Sequence, residues 1–184
     1  GSGATIGAVL AYQGVKQVDV VEISRDVIEA SRLFEAVNGR YWRDPRVRVF
    51  WEDAKTFLQI ADSEYDVIIS EPTNPWIAGV AGVFSKEYFE SCRGRLAPGG
   101  LFVQWVQGYE LEDLTFYMIL ETFTGIFPCY TLWNASLSDT ILVGSPAPYQ
   151  PDFDRMDARI EQPGVRKDLA TIELSSLLPI LGFQ

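Results

Sequence analysis

Four short apolar runs, separated by helix-length segments, constrain the fold of this chain more than any other feature. They are Val18–Ile23, Val47–Trp51, Tyr65–Ser70 and Leu101–Val106. The run Tyr65–Ser70 is nearly continuous in its apolar character, which is typical of a strand covered on both faces. Strands that alternate with helices are joined by crossover connections. The pattern therefore predicts an α/β fold, a Rossmann-like, mostly parallel sheet with helices on both faces.

Cap and turn residues predict where the helices begin and end. Ser24 and Ser85 are natural N-caps, and Asn38-Gly39 is expected to end the helix that Ser24 begins. The helix that follows Ser85 is expected to end near Leu96. The next residues, Pro98-Gly99-Gly100, predict a turn before the strand at Leu101.

The end of the chain differs from the alternating part. Pro128–Trp133 and Thr140–Val143 predict an antiparallel strand pair, with which dinucleotide-binding Rossmann domains do not usually close. After Pro146-Ala147-Pro148 the pattern changes to short helices. We expect a Rossmann-like domain over residues 1–148 and a C-terminal helical extension of the same domain over residues 149–184.

The chain contains no histidine, and this absence excludes the most chemistry. Ser-His-Asp triads, Cys-His pairs, HExxH zinc sites and histidine general bases are all ruled out. The two cysteines, Cys92 and Cys129, are too few and too far apart for a metal site or a disulfide framework. We expect two reduced core thiols and no metal.

Charge and hydropathy limit the partners. The net charge is −10 and the isoelectric point about 4.5, so a phosphate backbone would be repelled and no nucleic-acid partner is expected. An acidic surface is compatible with a polycationic ligand, although solubility alone accounts for it more often. No apolar run approaches membrane-spanning length and no signal peptide is recognised, so we expect no membrane insertion of this segment.

The chain begins inside a glycine-rich loop, Gly1-Ser2-Gly3, that leads into an apolar helix. Loops of this type follow a strand, so either these residues are a cloning scar or the chain is a fragment whose first strand is missing. The continuation Ala4-Thr5-Ile6-Gly7 favours the fragment. Glycines here let the backbone approach a ligand, and an acid about 20 residues later, Glu22, can accept both hydroxyls of a ribose. The alternative for Glu22 is a solvated strand end.

Asp53 follows the strand Val47–Trp51. A carboxylate at the carboxyl edge of such a sheet, beside a backbone amide, can bind the amino edge of an adenine. The alternative is an N-cap for the helix that starts at Ala54, and one residue can serve both purposes.

The segment Ser70-Glu71-Pro72-Thr73-Asn74-Pro75-Trp76 is the sharpest feature of the sequence. It leaves the carboxyl end of a central strand, where open α/β sheets place their active sites, and its two prolines can hold a carboxylate in a fixed position. The alternative is a rigid surface loop with an exposed acid. Trp76 has two open roles, a cation–π contact with a cationic ligand or packing of the loop on the sheet.

Gln104 and Gln107 are polar residues near the end of an apolar strand, and such residues require partners. Their spacing is odd, so alternation places them on opposite faces and only one is expected to contact a ligand. Glu110 is interpreted as the capping charge of the next helix.

These motifs together resemble the spermidine/spermine synthase family, aminopropyltransferases on the methyltransferase-type Rossmann fold. The resemblance spans roughly residues 1–146. Its motifs are the glycine-rich loop, Val20-Val21-Glu22-Ile23, Asp44-Pro45-Arg46-Val47, Glu52-Asp53-Ala54, Tyr65-Asp66-Val67-Ile68-Ile69, Phe84-Ser85-Lys86-Glu87-Tyr88-Phe89 and Leu96-Ala97-Pro98-Gly99-Gly100. The run Glu71–Val80 looks like the branch of bacterial homologues often attached to a membrane-transporter-like region.

The resemblance implies a role for each candidate residue. Gly1, Ser2 and Gly3 would line the nucleoside of the donor, Glu22 would hold its ribose, and Asp53 with Ala54 would contact its adenine. Glu71 would orient the amine acceptor and take its proton. Substrate binding would further involve three residues at the same edge, which are Asn74, Trp76 and Gln104.

Three departures from the family pattern concern substrate recognition. Ser2 replaces an aspartate that grips the amine of the donor, and Glu71 and Asn74 replace two aspartates. A glutamate reaches one methylene further, and an amide can neither act as a base nor balance an ammonium. The N-terminal β-hairpin domain of the family is not in this sequence, so we expect the fragment itself to be weak or inactive.

The resemblance implies an aminopropyltransferase that uses decarboxylated S-adenosylmethionine as co-substrate and a small-molecule amine as acceptor. Two alternatives stay open, a methyltransferase that uses S-adenosylmethionine and a non-catalytic nucleoside-binding module. An NAD-dependent oxidoreductase is disfavoured because the glycine spacing departs from its fingerprint. We expect a cytoplasmic location, as for the cytosolic domain of a larger membrane-attached protein. We also expect that the protein can form a homodimer.

Overall fold

The computed structural model describes residues 1–73, 79–136 and 138–184. Its strands are β1 (Val18–Val21), β2 (Val47–Phe50), β3 (Tyr65–Ser70), β4 (Leu96–Gln107), β5 (Cys129–Ser136) and β6 (Asp139–Ser145). Its helices are α1 (Ala4–Ala11), α2 (Arg25–Ser31), α3 (Glu35–Asn38), α4 (Ala54–Ile60), α5 (Lys86–Gly94), α6 (Asp113–Ile126), α7 (Phe153–Ile160), α8 (Pro163–Ala170) and α9 (Leu177–Leu181). Short 3-10 helices lie at Arg32–Phe34, Tyr41–Arg43 and Ala81–Phe84.

The chain divides into two compact units. One comprises residues 1–57 with 151–181, and the other comprises residues 58–150 with 182–184. The predicted boundary at residue 148 stays a prediction. No helix among the residues with described structure is both long and apolar enough to cross a bilayer.

The first unit is built on a parallel strand pair. β1 and β2 align Val18 with Val47 and Val21 with Phe50, so both strands end at the same edge. Ser24 caps α2 as predicted, by accepting a hydrogen bond from the Val27 amide. The predicted continuous helix to residue 38 is wrong, because a 3-10 turn separates α2 from α3. Ser31 Oγ donates to the Ile28 carbonyl at this point, and back-bonding of this kind bends helices.

Arg46 fastens the end of α1 to the start of β2. Its guanidinium donates to the Leu10 and Val15 carbonyls at 3.0 and 3.3 Å and to both carboxylate oxygens of Asp44. These hydrogen bonds lower the pKa of the Asp44 carboxyl below its usual value. Because α1 follows directly on Gly1-Ser2-Gly3, this contact also fixes the helix that the glycine loop begins.

The C-terminal helices pack against the other side of the loop helix. Gly164 in α8 lies so close to the Ala11 carbonyl that a Cβ there would overlap it. The Arg159 guanidinium of α7 lies 5.2 Å from the centre of the Tyr12 ring, within reach of a cation–π interaction. Helices α7 and α8 therefore contact the end of α1 that lies away from the glycine loop.

The second unit contains a four-stranded sheet in the order β3-β4-β6-β5. β3 and β4 are parallel, whereas β4–β6 and β5–β6 are antiparallel. The predicted α/β class and the predicted closing antiparallel pair are confirmed. Ser85 caps α5 as predicted, by accepting from the Tyr88 amide.

The predicted turn at Pro98-Gly99-Gly100 is part of β4. Tyr65 is aligned with Leu96, and Val67 with Leu101, so the residues between form a bulge rather than a turn between two strands. Gly99 has a φ of 80°, which glycine adopts at little cost. Beyond the bulge the two strands are aligned residue by residue, and Ser70 pairs with Gln104.

An aromatic cluster forms the core of the second unit. It consists of four side chains that are fully buried, Phe89, Phe102, Phe123 and Phe127. Their rings are 5.0 to 5.9 Å apart, in stacked, tilted and edge-on pairs that stabilise beyond simple burial. The cluster supports one face of β4, the face on which Gln104 also lies.

Both cysteines are free thiols, as predicted. Cys92 is a buried residue of α5, and burial raises the pKa of its thiol to about 12. It is therefore protonated and unreactive at neutral pH. Cys129 is half-buried at the start of β5, so the expectation of a core position holds for Cys92 only.

Replacing Gly144 by alanine should destabilise the second unit. Gly144 pairs with Phe102, and an added Cβ would lie 2.7 Å from Phe127 and 2.8 Å from Phe123. We expect Gly144→Ala to lower the free energy of unfolding in urea by about 1–3 kcal/mol through overpacking. Gly125→Ala is the matched control, because that Cβ meets nothing within 4 Å. Equal stability of the two variants would contradict the packing described for the cluster.

The Asp44–Arg46 pair should make stability depend on acidity. The folded pKa of Asp44 is depressed, so its contribution is complete above about pH 4 and is lost as the pH falls through the folded pKa. We expect Asp44→Asn to cost about 1 kcal/mol at pH 7, measured by urea unfolding. The difference from the wild type should shrink in acid, and a difference that is constant from pH 7 to pH 3 would rule out the pair as its source.

Candidate functional site

The carboxylate of Glu22 connects the end of β1 to the start of the chain. Its Oε1 accepts from the Ser24 amide at 2.9 Å, and its Oε2 lies 3.8 Å from the Gly1 nitrogen. The side chain is 24 % exposed. Glu22 is therefore held at the strand end rather than freely solvated, and the structure brings it next to the glycine loop.

The glycine loop is held from the opposite side by residues that the sequence analysis did not identify. Asn38 Nδ2 donates to the Ser2 carbonyl at 2.9 Å. Gly3 has a φ of 80°, and a Cβ there would lie 2.6 Å from the ring of Tyr41. Asn38 and Tyr41 are both fully buried. The only sequence signal was Asn38-Gly39, which predicts a helix end and says nothing of a contact 36 residues away.

Asp53 caps α4, as the alternative interpretation predicted. Its Oδ1 accepts from the Thr56 amide at 2.9 Å and from the Thr56 hydroxyl at 3.1 Å. The Ala54 amide lies in the first turn of α4, where no helix carbonyl can accept from it. The cap thus holds a carboxylate next to an amide that is oriented outward from the helix end.

Glu22 and Asp53 lie at one edge of the parallel pair. The Glu22 amide donates to the Phe50 carbonyl, so Glu22 is one residue and Asp53 three residues beyond the last aligned pair. Two apolar side chains flank this edge, Ile23 at 72 % and Trp51 at 53 % exposure. Such an edge offers acceptors for hydroxyl and amino groups and flat apolar surface for an aromatic ring. The sequence pattern assigns Ile23 and Trp51 to the strands and does not reveal that they are exposed.

In the second unit, Gln104 of β4 lies beside the last residue of β3, and Glu71 follows that residue. Ser70 is aligned with Gln104, and Glu71 follows Ser70 directly. Ser70 is buried and accepts a hydrogen bond from the Tyr88 hydroxyl at 3.1 Å. Glu71 itself is exposed. The strand end is therefore fixed from beneath, while the carboxylate that follows it is accessible.

Gln104 carries an unpaired acceptor in a buried position. Its Nε2 donates to the Trp105 carbonyl, but its Oε1 has no hydrogen-bond partner among the residues the structure describes. The Gln107 Oε1 is also buried without a hydrogen-bond partner among the described residues, while its Nε2 donates to the Tyr109 carbonyl. Unpaired buried acceptors are costly and mark places where a donor is expected. Alternation places the two amides on opposite faces of β4, as predicted.

Two residues predicted to bind substrate, Asn74 and Trp76, lie outside the residues that the structure describes. Glu110 does not belong to the first turn of α6, because that helix begins at Asp113 and is preceded by Glu112 as N-cap. Glu110 instead occupies a turn with a φ of 54°.

Comparison with known proteins identifies the family. The spermine/spermidine synthase domain model matches residues 1–137, which include every candidate site residue. The chain belongs to the spermine/spermidine synthase family. The resemblance seen in the sequence motifs is thereby confirmed.

Curated relatives agree with this family. A polyamine aminopropyltransferase of Clostridium beijerinckii is 30% identical over 139 residues, which are 74% of this chain and 49% of the relative. A polyamine aminopropyltransferase of Prochlorococcus marinus is 40% identical over 105 residues, 55% of this chain and 36% of the relative. The chain thus spans about half the length, or less, of the curated relatives it matches.

Solved structures confirm the fold. A spermidine synthase in complex with the transition state analogue AdoDATO superposes with a TM-score of 0.72 at 19% identity, over 92% of this chain and 67% of that one. Human methyltransferase-like protein 13 in complex with SAH superposes with a TM-score of 0.65 at 18% identity, over 94% of this chain and 77% of that one. The fold is therefore that of the spermine/spermidine synthase family and of methyltransferase-like proteins.

The capping role of Asp53 can be separated from any role in binding. Asp53→Ala removes the acceptor for the Thr56 amide, and we expect it to lower the free energy of unfolding by about 1 kcal/mol. Asp53→Asn keeps a good cap and removes the charge, so its stability should stay close to that of the wild type. Urea unfolding measures both. An alanine variant as stable as the asparagine variant would show that the cap contributes nothing.

Proposed function

We propose that this protein is an aminopropyltransferase that moves an aminopropyl group from decarboxylated S-adenosylmethionine to a small amine. Its family supports this proposal, as do the polyamine aminopropyltransferases among its relatives. The observation that carries it is the alignment of Ser70 with Gln104, because Glu71, an exposed carboxylate, follows Ser70 directly and the buried Gln104 Oε1 has no hydrogen-bond partner among the described residues.

The donor would bind at the edge of the first unit. Gly1, Ser2 and Gly3 would line the nucleoside, and their backbone can approach it closely because the glycines carry no side chain. Glu22 would accept hydrogen bonds from the two ribose hydroxyls. Asp53 and the Ala54 amide would bind the amino edge of the adenine, between the apolar side chains at the same edge.

The acceptor would bind in the second unit through its amino groups. Glu71 supplies the negative charge that attracts an ammonium and accepts the proton that the amine must lose. The Gln104 Oε1 supplies an acceptor that needs an N–H donor, and an amine satisfies it. Asn74 and Trp76 complete this proposed set, Trp76 through a cation–π contact.

The proposed reaction is an in-line displacement. The lone pair of the amine nitrogen forms a bond to the methylene carbon beside the sulfonium, and the carbon–sulfur bond breaks with its electrons moving to sulfur. The products are methylthioadenosine and the aminopropylated amine. Glu71 accepts the proton that the amine nitrogen loses. Because the leaving group is a neutral thioether, the displacement needs no metal ion. The contribution of the protein is orientation and proton acceptance.

Glu71→Gln tests the assignment of the base. In the full-length protein with decarboxylated S-adenosylmethionine and putrescine, we expect methylthioadenosine to form, and Glu71→Gln to lower kcat by about 10²- to 10⁴-fold. Glu90→Gln is the matched control, because it removes another exposed carboxylate of the same unit, paired with Lys86 on α5. Equal rates for Glu71→Gln and the wild type would exclude Glu71 as the base.

Calorimetry with both nucleosyl donors, run beside this assay, distinguishes the other functions. Tighter binding of S-adenosylmethionine together with methyl transfer would replace the proposal by a methyltransferase. Binding of either donor with no turnover of any amine would indicate a nucleoside-binding module. We further propose a cytoplasmic setting and a homodimer. Sedimentation of the full-length protein would check the homodimer.

A further inference from the structure

Asn38 makes a long-range hydrogen bond to the glycine loop that its position at a helix end does not require. It is the last residue of α3 and is fully buried. Nδ2 donates to the Ser2 carbonyl at 2.9 Å and to the Ser31 carbonyl at 2.7 Å, and Oδ1 accepts from the Arg40 amide at 3.0 Å. The carboxamide is thus bonded through both of its polar atoms, and one of the bonds reaches the loop.

The backbone around Asn38 is shaped to bring this side chain to the loop. Gly39 and Arg40 both adopt left-handed conformations, with φ of 62° and 59°. Two such residues in succession reverse the chain after α3 and place the ring of Tyr41 against Gly3. Gly7 approaches the Asn38 backbone so closely that a Cβ would lie 2.9 Å from its Cα. A bulkier residue at Gly7 would push Asn38 away from the loop.

The carbonyl that Asn38 binds determines the orientation of the loop. Ser2 lies between Gly1, whose nitrogen is 3.8 Å from Glu22, and Gly3, whose carbonyl begins the hydrogen bonding of α1. Fixing the Ser2 carbonyl fixes the plane of the Ser2–Gly3 peptide. The neighbouring glycine would otherwise leave this plane freer to rotate.

We propose that Asn38 is a positioning residue for the nucleoside of the donor. It holds the Ser2 carbonyl, and through it the Ser2–Gly3 peptide of the glycine loop, in the orientation that the nucleoside requires beside Glu22. This inference rests on the proposed function, because it assumes that the loop binds a nucleoside. The proposed effect of Asn38 is preorganisation. The loop is ordered before the ligand arrives, so binding does not carry the entropic cost of ordering it.

Asn38→Asp is the most informative variant. It preserves the shape of the side chain and the acceptor for Arg40, and it replaces the donor to Ser2 and Ser31 by an oxygen. We expect the Kd for methylthioadenosine, and the KM for the donor, to rise about tenfold, while kcat and the KM for the amine change less than twofold. Asn38→Ala, which removes all three bonds, is the second variant should the aspartate variant not fold.

Ser31→Ala is the matched control. Ser31 Oγ shares a 2.9 Å hydrogen bond with the Tyr41 hydroxyl in the same buried cluster, so its loss destabilises the same region. It leaves the Ser31 carbonyl and the Asn38–Ser2 bond in place. We expect Ser31→Ala to lower the melting temperature, as the Asn38 variants do, but to change the Kd less than twofold. An equal rise in Kd for both substitutions, or no rise for Asn38→Asp, would overturn the inference.

Amide hydrogen exchange without ligand separates this inference from the proposed function. In the full-length protein, the amides of residues 1–7 should exchange at least tenfold faster in Asn38→Asp than in Ser31→Ala. The reason is that Asn38→Asp removes the hydrogen bond that stabilises this loop locally. Faster exchange with no nucleoside binding even in the wild type would overturn the proposed function and the ligand assigned here, while the loop contact itself stands. Unchanged exchange with intact wild-type binding would overturn the inference alone.

Discussion

Parallel pairing of strands is the constraint on which the proposed site depends. In a parallel pair the carboxyl ends of both strands meet at one edge, so residues that follow each strand become neighbours whatever their distance in sequence. β1 and β2 place Glu22 and Asp53 at one edge in this way, and at the end of β3 the residue before Glu71, Ser70, is aligned with Gln104 of β4. A register error of a single residue would turn each of these side chains to the opposite face.

Each pairing is held in register by contacts away from the edge. In the first unit, Arg46 joins the end of α1 to the start of β2 through two carbonyls and the Asp44 carboxylate. In the second unit, the phenylalanine cluster supports β4 from one face. Gly144 leaves room for the phenylalanine rings because it has no side chain. The polar residues at the edges therefore depend on packing that involves none of them. This arrangement separates the residues that stabilise the fold from those proposed to do chemistry.

Local patterns in the sequence were sufficient for most of the fold. The N-caps Ser24 and Ser85, the parallel strands and the closing antiparallel pair follow from short-range signals and were predicted correctly. The turn predicted before Leu101 was wrong because its meaning depends on Tyr65, a residue on another strand with which β4 pairs. Glycine and proline indicate a departure from regular backbone, but only the partner strand decides between a turn and a bulge.

The same limit explains which site residues were missed. The position of Glu22 and Asp53 at the sheet edge could be predicted because a strand end is visible in the sequence itself, while their role in binding stays a prediction. Asn38 could not be predicted, since its hydrogen bond to Ser2 joins residues far apart in the chain and depends on the left-handed pair Gly39 and Arg40. The exposure of Ile23 and Trp51 was also invisible, because an apolar residue at a strand end resembles the strand that precedes it.

The bulge in β4 has a practical consequence for anyone who wishes to modify this protein. Pro98 and Gly99 are exposed at its tip, beside the beginnings of β3 and β4, whereas Glu71 follows the opposite end of β3. A fluorophore, affinity handle or short epitope grafted between Pro98 and Gly99 would therefore sit roughly one strand length from the site proposed at Glu71. The tip offers an attachment point that leaves the opposite end of β3 and its exposed carboxylate untouched.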